Sequence, residues 1–319
     1  MYNLVDIAVI IPTYNRANDL RETLASFNRY IDNLREVLII DQSRDKETKK
    51  LIADLRNENI KYVHSDVPSL TAARNLGVKH ASPKSRIILF LDDDVSLGGH
   101  YFDEILRVFN ENPNALGAGG YYLPPETKIG KIEMLLRKMF CIEHKALNGA
   151  RVLSAYGAVY PSMLTKIITA EWLSGFNLAF KKEVFKSQKF DENLSQYALG
   201  EDFDFSYRIQ QMRRGSLYLT PYARLVHRVS SVERVPTRKI SYMNQIHHFY
   251  FNFKNFNRTT QEKLAFVRAV FGITILRTIQ FMIFPSMRER LRLKFYFASL
   301  FYCLRSLRKI KKGSLRILE

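Results

Sequence analysis

The chain has 319 residues, 46% of them hydrophobic and 25% charged, with a formal net charge of +18 and two cysteines. This suffices for one large α/β domain with an appendage, and the composition excludes a disordered or low-complexity chain. Cys141 and Cys303 match no metal-ligand spacing and read as idle thiols of a reducing compartment.

Residues Met1 to Asp6 lack a basic start followed by a long apolar stretch, so no secretory signal is expected. Ile7–Ile11, Val37–Ile40 and Ile87–Leu91 are unbroken β-rich runs of the kind that suit central parallel strands. Between them, Asn18–Tyr30, Lys46–Asn57 and Ser69–His80 carry helical spacing, with Asn18 and Ser69 as starting residues. Strand, helix, strand in that order predicts right-handed crossovers and a Rossmann-like, doubly wound α/β sheet.

The middle, about 123–170, opens with Pro124-Pro125 and reads as a loop with one helix near Lys131–Phe140. Order resumes with Trp172–Phe180, a helix over Lys181–Lys186 and another over Leu199–Met212. Strand-like Leu217–Leu219 and the segment Ala223–His227 close the unit. The reading divides the chain into 1–253, with halves at about 1–122 and 123–253, and a basic amphipathic helical extension, 254–319.

In doubly wound sheets ligands bind beyond the carboxyl ends of the strands. Pro12-Thr13-Tyr14-Asn15, Asp41-Gln42-Ser43 and Asp92-Asp93-Asp94 all fall there. Three consecutive carboxylates repel one another unless a cation neutralises them, and oxygen ligands suit magnesium or manganese. Alone, the triplet is equally compatible with a solvated acidic turn. Asp41 could accept from a base ring N–H or serve as a turn aspartate. Arg16 and Arg74 could meet phosphates or orient carboxylates. Glu201 and Asp202 begin a helix, where the dipole favours anions. His227, taken alone, reads as structural.

Together, Ile10-Ile11-Pro12-Thr13-Tyr14-Asn15-Arg16, Ile40-Asp41, Ala73-Arg74-Asn75-x-Gly77, Leu91-Asp92-Asp93-Asp94, Trp172-Leu173-Ser174-Gly175-x-Asn177, Glu201-Asp202 and His227 resemble the family 2 glycosyltransferases in order and spacing. The resemblance runs over roughly residues 5–230. It implies the glycosyltransferase A fold, a UDP- or GDP-linked sugar donor, and Mn2+ or Mg2+. Pro12, Thr13 and Asp41 would then hold the base, with Tyr14 and Arg74 beside them. Asp92 and Asp94 would form the Asp-X-Asp pair on the metal, completed by His227, with Asp93 supporting the turn within the nucleotide-sugar site. Gly175 and Asn177 would line the sugar pocket with Glu201 adjacent, and Asp202 would be the general base of an inverting single displacement. Gln42 departs from the second acid or Asn common in that family.

Residues 254–319 hold 15 Lys/Arg against three acids, two-thirds of the excess charge. Leu264–Phe284 is long enough to span a bilayer, but Arg277 lies near its middle. An in-plane or re-entrant amphipathic helix is therefore expected rather than a span, with Leu291–Leu304 reading the same way. The expected partners are an anionic membrane surface, through 264–312, and a glycan or lipid-linked acceptor. The expected location is the cytoplasmic face of the cell membrane. The competing readings are a nucleic-acid-binding protein and a nucleotidyltransferase. The first leaves the acidic crevice unexplained, and the second lacks a Gly-rich phosphate loop with lysine after the first strand.

Overall fold

A computed structural model describes residues 1–122, 131–140, 142, 145–146, 149–153, 157–161, 163–195, 197–230, 232, 236–256 and 259–315. Pro124-Pro125 and Cys141 lie outside these residues. The chain forms two compact units, Met1–Leu123 with Met163–Arg234, and Pro124–Ser162 with Val235–Glu319.

The first unit is built on an eight-stranded sheet in the order Ile168–Ala170, Leu217–Thr220, Gly117–Gly120, Asn177–Lys181, Ile87–Leu91, Ile7–Thr13, Glu36–Asp41, Ile60–His64. The last four of these run parallel, with Ile7 beside Ile87 and Thr13 beside Asp41. Asn177–Lys181 is antiparallel to both its neighbours, so the sheet is mixed. Ile87–Leu91 has the predicted bounds, and the strands predicted at Ile7–Ile11 and Val37–Ile40 are each two residues longer.

The strands at Ile7, Glu36 and Ile87 are buried along their whole length, which explains why they read as continuous apolar runs. Helices cover the sheet. Ala17–Ser26 contributes Leu20 and Leu24 to the core, and Tyr101–Glu111 contributes Phe102, Ile105 and Phe109. Leu70–His80 begins at Ser69, whose hydroxyl accepts from Ala72 N. It packs so closely on the first strand that a Cβ at Gly77 would lie 2.4 Å from Ile10 Cγ2. The order in which successive strands are added reverses between the parallel strands at Ile7 and Ile87, the switch point where such sheets open a crevice. Thr13 and Asp92 stand at its rim.

In the second unit, helices Thr260–Ile283 and Met287–Arg305 meet around Ile142, Ala269, Ile273 and Tyr296, while Lys131–Met139 packs on the first of these helices and Thr237–Asn255 on the second. Thr259 and Glu262 form a capping box that fixes the start of Thr260–Ile283. Cys303 is a buried free thiol, and burial pushes it up to about 12.

Candidate active site

The acidic triplet follows the central strand Ile87–Leu91 directly, and its three carboxylates diverge. Asp93 is buried inward, where Thr13 Oγ1 donates to it at 2.7 Å and Arg16 Nη1 lies 3.3 Å away. Burial pushes Asp93 up to about 7 against the pull of Arg16. Asp93 ties the end of the strand Ile7–Thr13 to the end of Ile87–Leu91, and Thr23 Oγ1, on the helix Ala17–Ser26, donates to its carbonyl at 2.7 Å.

Asp92 and Asp94 face a common point with His227. One ligand atom from each lies within 4.8 Å of the others. His227 Nε2 stands 3.0 Å from Asp94 Oδ1, and Ser230 N donates to Asp94 Oδ2 at 2.8 Å. Burial opposes charge on both partners, but these contacts outweigh it. Asp94 is held below the usual carboxylate range and His227 above the usual histidine range. The imidazole also stacks on Phe176, with ring centroids 4.9 Å apart. Two carboxylates and an imidazole at this separation form a donor set that fits a manganese- or magnesium-sized cation.

Arg74 connects this cluster to the second acidic pair. Its guanidinium is buried, and Nη1 donates to Glu201 Oε1 at 2.5 Å. Nη2 donates to the Gly175 carbonyl at 2.8 Å and to Asp92 Oδ1 at 3.4 Å. Burial and the charge of Asp202 push Glu201 up to about 8 against the pull of Arg74. Asp202 sits in the first turn of helix Glu201–Met212, as the sequence predicts. Its Oδ2 accepts from Gly175 N at 2.9 Å and its Oδ1 from Phe203 N at 2.8 Å. Burial raises its pKa, and those two N–H groups restrain the rise. At Gly175 an added Cβ would meet Glu201 Oε1 at 3.1 Å and Arg74 Nη2 at 3.2 Å, so glycine leaves this junction room to close.

Not every expected residue faces the same space. Asn177 Oδ1 accepts from Gly120 N at 2.5 Å and from Tyr101 at 3.3 Å, which ties adjacent elements together. Asp41 is fully buried. Ser43 N donates to its Oδ1 at 2.9 Å, and the Tyr62 hydroxyl to its Oδ2 at 2.9 Å. A cavity of about 610 Å³ lies beyond the first three strands, lined by Tyr14, Ser43, Arg44, Lys49, Tyr62 and His64 among others. Pro12, Thr13 and Asp41 do not line it. Tyr62 does, covering Asp41 and carrying its hydrogen bond to the cavity wall. Burial and the bond to Asp41 push the phenol up to about 12. Sequence reading overlooked Tyr62 and the strand Ile60–His64 that presents it, although Ile60-Lys61-Tyr62-Val63 carries the β-branched and aromatic content of a strand.

Comparison with known proteins agrees with this architecture. The sequence model of glycosyl transferase family 2 matches residues 8–163. An uncharacterized glycosyltransferase of Rickettsia conorii is 40% identical over 93 residues, 29% of this chain and 15% of that protein. Minor teichoic acid biosynthesis protein GgaB of Bacillus subtilis is 34% identical over 116 residues, 35% of this chain and 13% of that protein. Chondroitin synthase of Escherichia coli is 28% identical over 235 residues, 64% of this chain and 32% of the synthase. The chain thus spans a third or less of the length of these relatives.

Among solved structures, a mannosyltransferase of Pyrobaculum calidifontis in complex with GDP-Man and Mn2+ superposes with a TM-score of 0.57 at 15% identity. That alignment covers 95% of this chain and 87% of the mannosyltransferase. S. aureus TarS 1–349 in complex with UDP-GlcNAc superposes at 0.55 with 15% identity, covering 97% and 88%. These likenesses are of fold. Residues 8–163 match glycosyl transferase family 2, and the sheet is of glycosyltransferase A type.

Proposed function

We propose that this chain is a metal-dependent family 2 glycosyltransferase that moves a sugar from a nucleoside-diphosphate sugar to an acceptor hydroxyl with inversion. The observation that carries the reading is the Arg74 junction. One buried guanidinium reaches both the Asp92 side of the Asp-Asp-His cluster and the Glu201-Asp202 turn. A donor diphosphate at the cluster and an acceptor hydroxyl at Asp202 would then be held in one fixed geometry.

In this reading Asp92, Asp94 and His227 hold Mn2+ or Mg2+. The cation's chemistry is to offset negative charge on the departing diphosphate. Asp202 takes the proton of the acceptor hydroxyl as its oxygen bonds to the anomeric carbon and the bond to the diphosphate breaks. The Gly175 and Phe203 N–H groups keep the Asp202 carboxylate oriented, and burial raises its appetite for the proton. One displacement inverts the anomeric centre. Arg74 and Glu201 are positioning residues behind Asp202.

The cavity at Tyr14 and Tyr62 takes the base, and the Tyr62 oxygen accepts from a ring N–H while its own O–H donates to Asp41. The acceptor is a lipid-linked or membrane-proximal glycan, reached by a chain attached peripherally at the cytoplasmic face. Calorimetric titration with UDP and GDP, with and without MnCl2, tests the donor reading. Binding of one of them that strengthens with manganese supports it, and no binding of either removes it.

A further inference from the structure

The helix Thr260–Ile283 buries Ala269, Gly272 and Ile273, half-buries Thr274, Arg277 and Thr278, and leaves a row of large apolar side chains exposed. Thr274 Oγ1 and Tyr296 OH are 2.8 Å apart, and the Arg277 guanidinium lies 5.0 Å from the Tyr296 ring centroid. Thr278 Oγ1 donates to its own helix at Thr274 O, and Arg268 Nη2 donates to the Met139 carbonyl. Thr274, Thr278 and Arg268 thus find hydrogen-bond partners within this unit.

Leu264, Val267, Phe271, Met282, Ile283 and Phe284, by contrast, are 60–73% exposed. Leu264, Val267, Phe271 and Met282 fall on one face at 100° per residue. Ala269 and Ile273, on the opposite side, are buried with Tyr296. The neighbouring helix Met287–Arg305 continues the pattern with exposed Phe297, Phe301 and Leu304. There the apolar residues alternate with exposed Lys294 and Arg305, and the Arg305 guanidinium lies 4.7 Å from the Phe301 ring.

We propose that this outward face is a docking surface for an anionic lipid bilayer, with both helices lying in the plane of the interface. Charge selects the occupant. Arg288, Arg290, Lys294, Arg305, Arg308 and Lys309 are all exposed beside the apolar face, within a segment of 15 basic and three acidic residues. Two such surfaces on two copies of the chain would repel, whereas anionic headgroups attract them while the aromatic and aliphatic groups enter the acyl boundary. A span is disfavoured because one flank of Thr260–Ile283 is already committed to Lys131–Met139 and Met287–Arg305. Arg277 is also held at mid-helix against Tyr296. The surface deepens the membrane-proximal acceptor reading, and lipid partition is read independently of nucleotide binding and transfer.

The test is co-sedimentation of the full chain with phosphatidylcholine vesicles, with and without phosphatidylglycerol, at low and high salt. The expected result is binding to the anionic vesicles, weakened by salt. Phe271→Ser with Met282→Ser should lower the partition by about tenfold or more. Arg288→Gln with Arg290→Gln and Lys294→Gln should remove the preference for anionic vesicles. Unchanged circular dichroism and thermal melting would show that these exposed substitutions leave the fold intact. Equal partition of wild type and both variants overturns the proposal. So does concentration-dependent self-association, abolished by the apolar variant, without vesicle binding. A chain that binds nucleotide but not lipid fails here and leaves the transfer reading standing.

Discussion

Arg74 Nη1 lies 2.5 Å from Glu201 Oε1, joining the helix Leu70–His80 to the first turn of Glu201–Met212 across 127 residues of chain. Both side chains are buried, so neither has water to fall back on. Removing one partner of a buried pair leaves the other unsatisfied, at a cost of about 3–5 kcal/mol. Arg74→Ala should lower unfolding free energy by roughly that amount, measured by urea denaturation. Arg74→Lys should rescue it only in part, since one ammonium cannot reach Glu201, Gly175 O and Asp92 with fork geometry. Wild-type stability in Arg74→Ala would show that the junction does not hold the site.

Asp202→Asn keeps the size of the side chain but removes its capacity to take a proton. Transfer is expected to fall by about two orders of magnitude or more. Donor affinity should stay within about threefold, because Asp202 is assigned to the acceptor. Calorimetry and a coupled assay for released nucleoside diphosphate read the two quantities separately. Full transfer activity in the variant removes Asp202 from the proposed role.

Tyr62→Phe deletes the hydroxyl between Asp41 and the cavity. Nucleotide affinity should drop by about five- to tenfold, the worth of one hydrogen bond to a polarised group. Stability should fall by about 1 kcal/mol, because Asp41 Oδ2 loses its donor. A loss of stability with unchanged affinity would assign Tyr62 to structure alone.

His248, on helix Thr237–Asn255, is buried, and burial pushes its imidazole down to about 4 from the ordinary 6.5. The folded pKa lies below the unfolded one, so between these values the unfolded chain binds more protons. The neutral histidine's contribution is present above the unfolded pKa and is lost as pH falls toward the folded one. From this residue alone, moving from pH 7 to pH 5 should cost about 2 kcal/mol. Urea denaturation of wild type and His248→Leu at both values checks it, with a smaller pH loss expected in the variant.

What the sequence made legible follows from burial. Ile7–Ile11 and Ile87–Leu91 were plain because strands covered on both faces carry an unbroken apolar signal. The strand Gly117–Gly120 was not, because Gly-Ala-Gly-Gly has low strand propensity. Glycine is required there by Phe180 and Leu217, which would lie within 2.8 Å of a Cβ at Gly117. Thr237–Asn255 was missed for the opposite reason. Its residues Gln245 to Asn252 are all buried, so the two-faced periodicity of a surface helix is absent. In the site, the order of acidic motifs was visible but the direction of each carboxylate was not. That Asp93 turns inward to Thr13 while Asp94 turns to His227 depends on partners 80 and 133 residues away. The polar stripe of Thr260–Ile283 was visible too, but not that it packs against Tyr296.

The most direct test of the account is thermal melting of wild type, Asp92→Ala and Asp94→Ala with UDP- and GDP-sugars, each with MnCl2 and with EDTA. A donor present at about 100 times its Kd stabilises by about 2.7 kcal/mol, a shift of several degrees. The account predicts that shift for wild type with one class of donor in manganese, its loss in EDTA, and its loss in both variants. An equal shift in EDTA, or one retained in both variants, would contradict the assignment of the Asp-Asp-His cluster to the donor's metal.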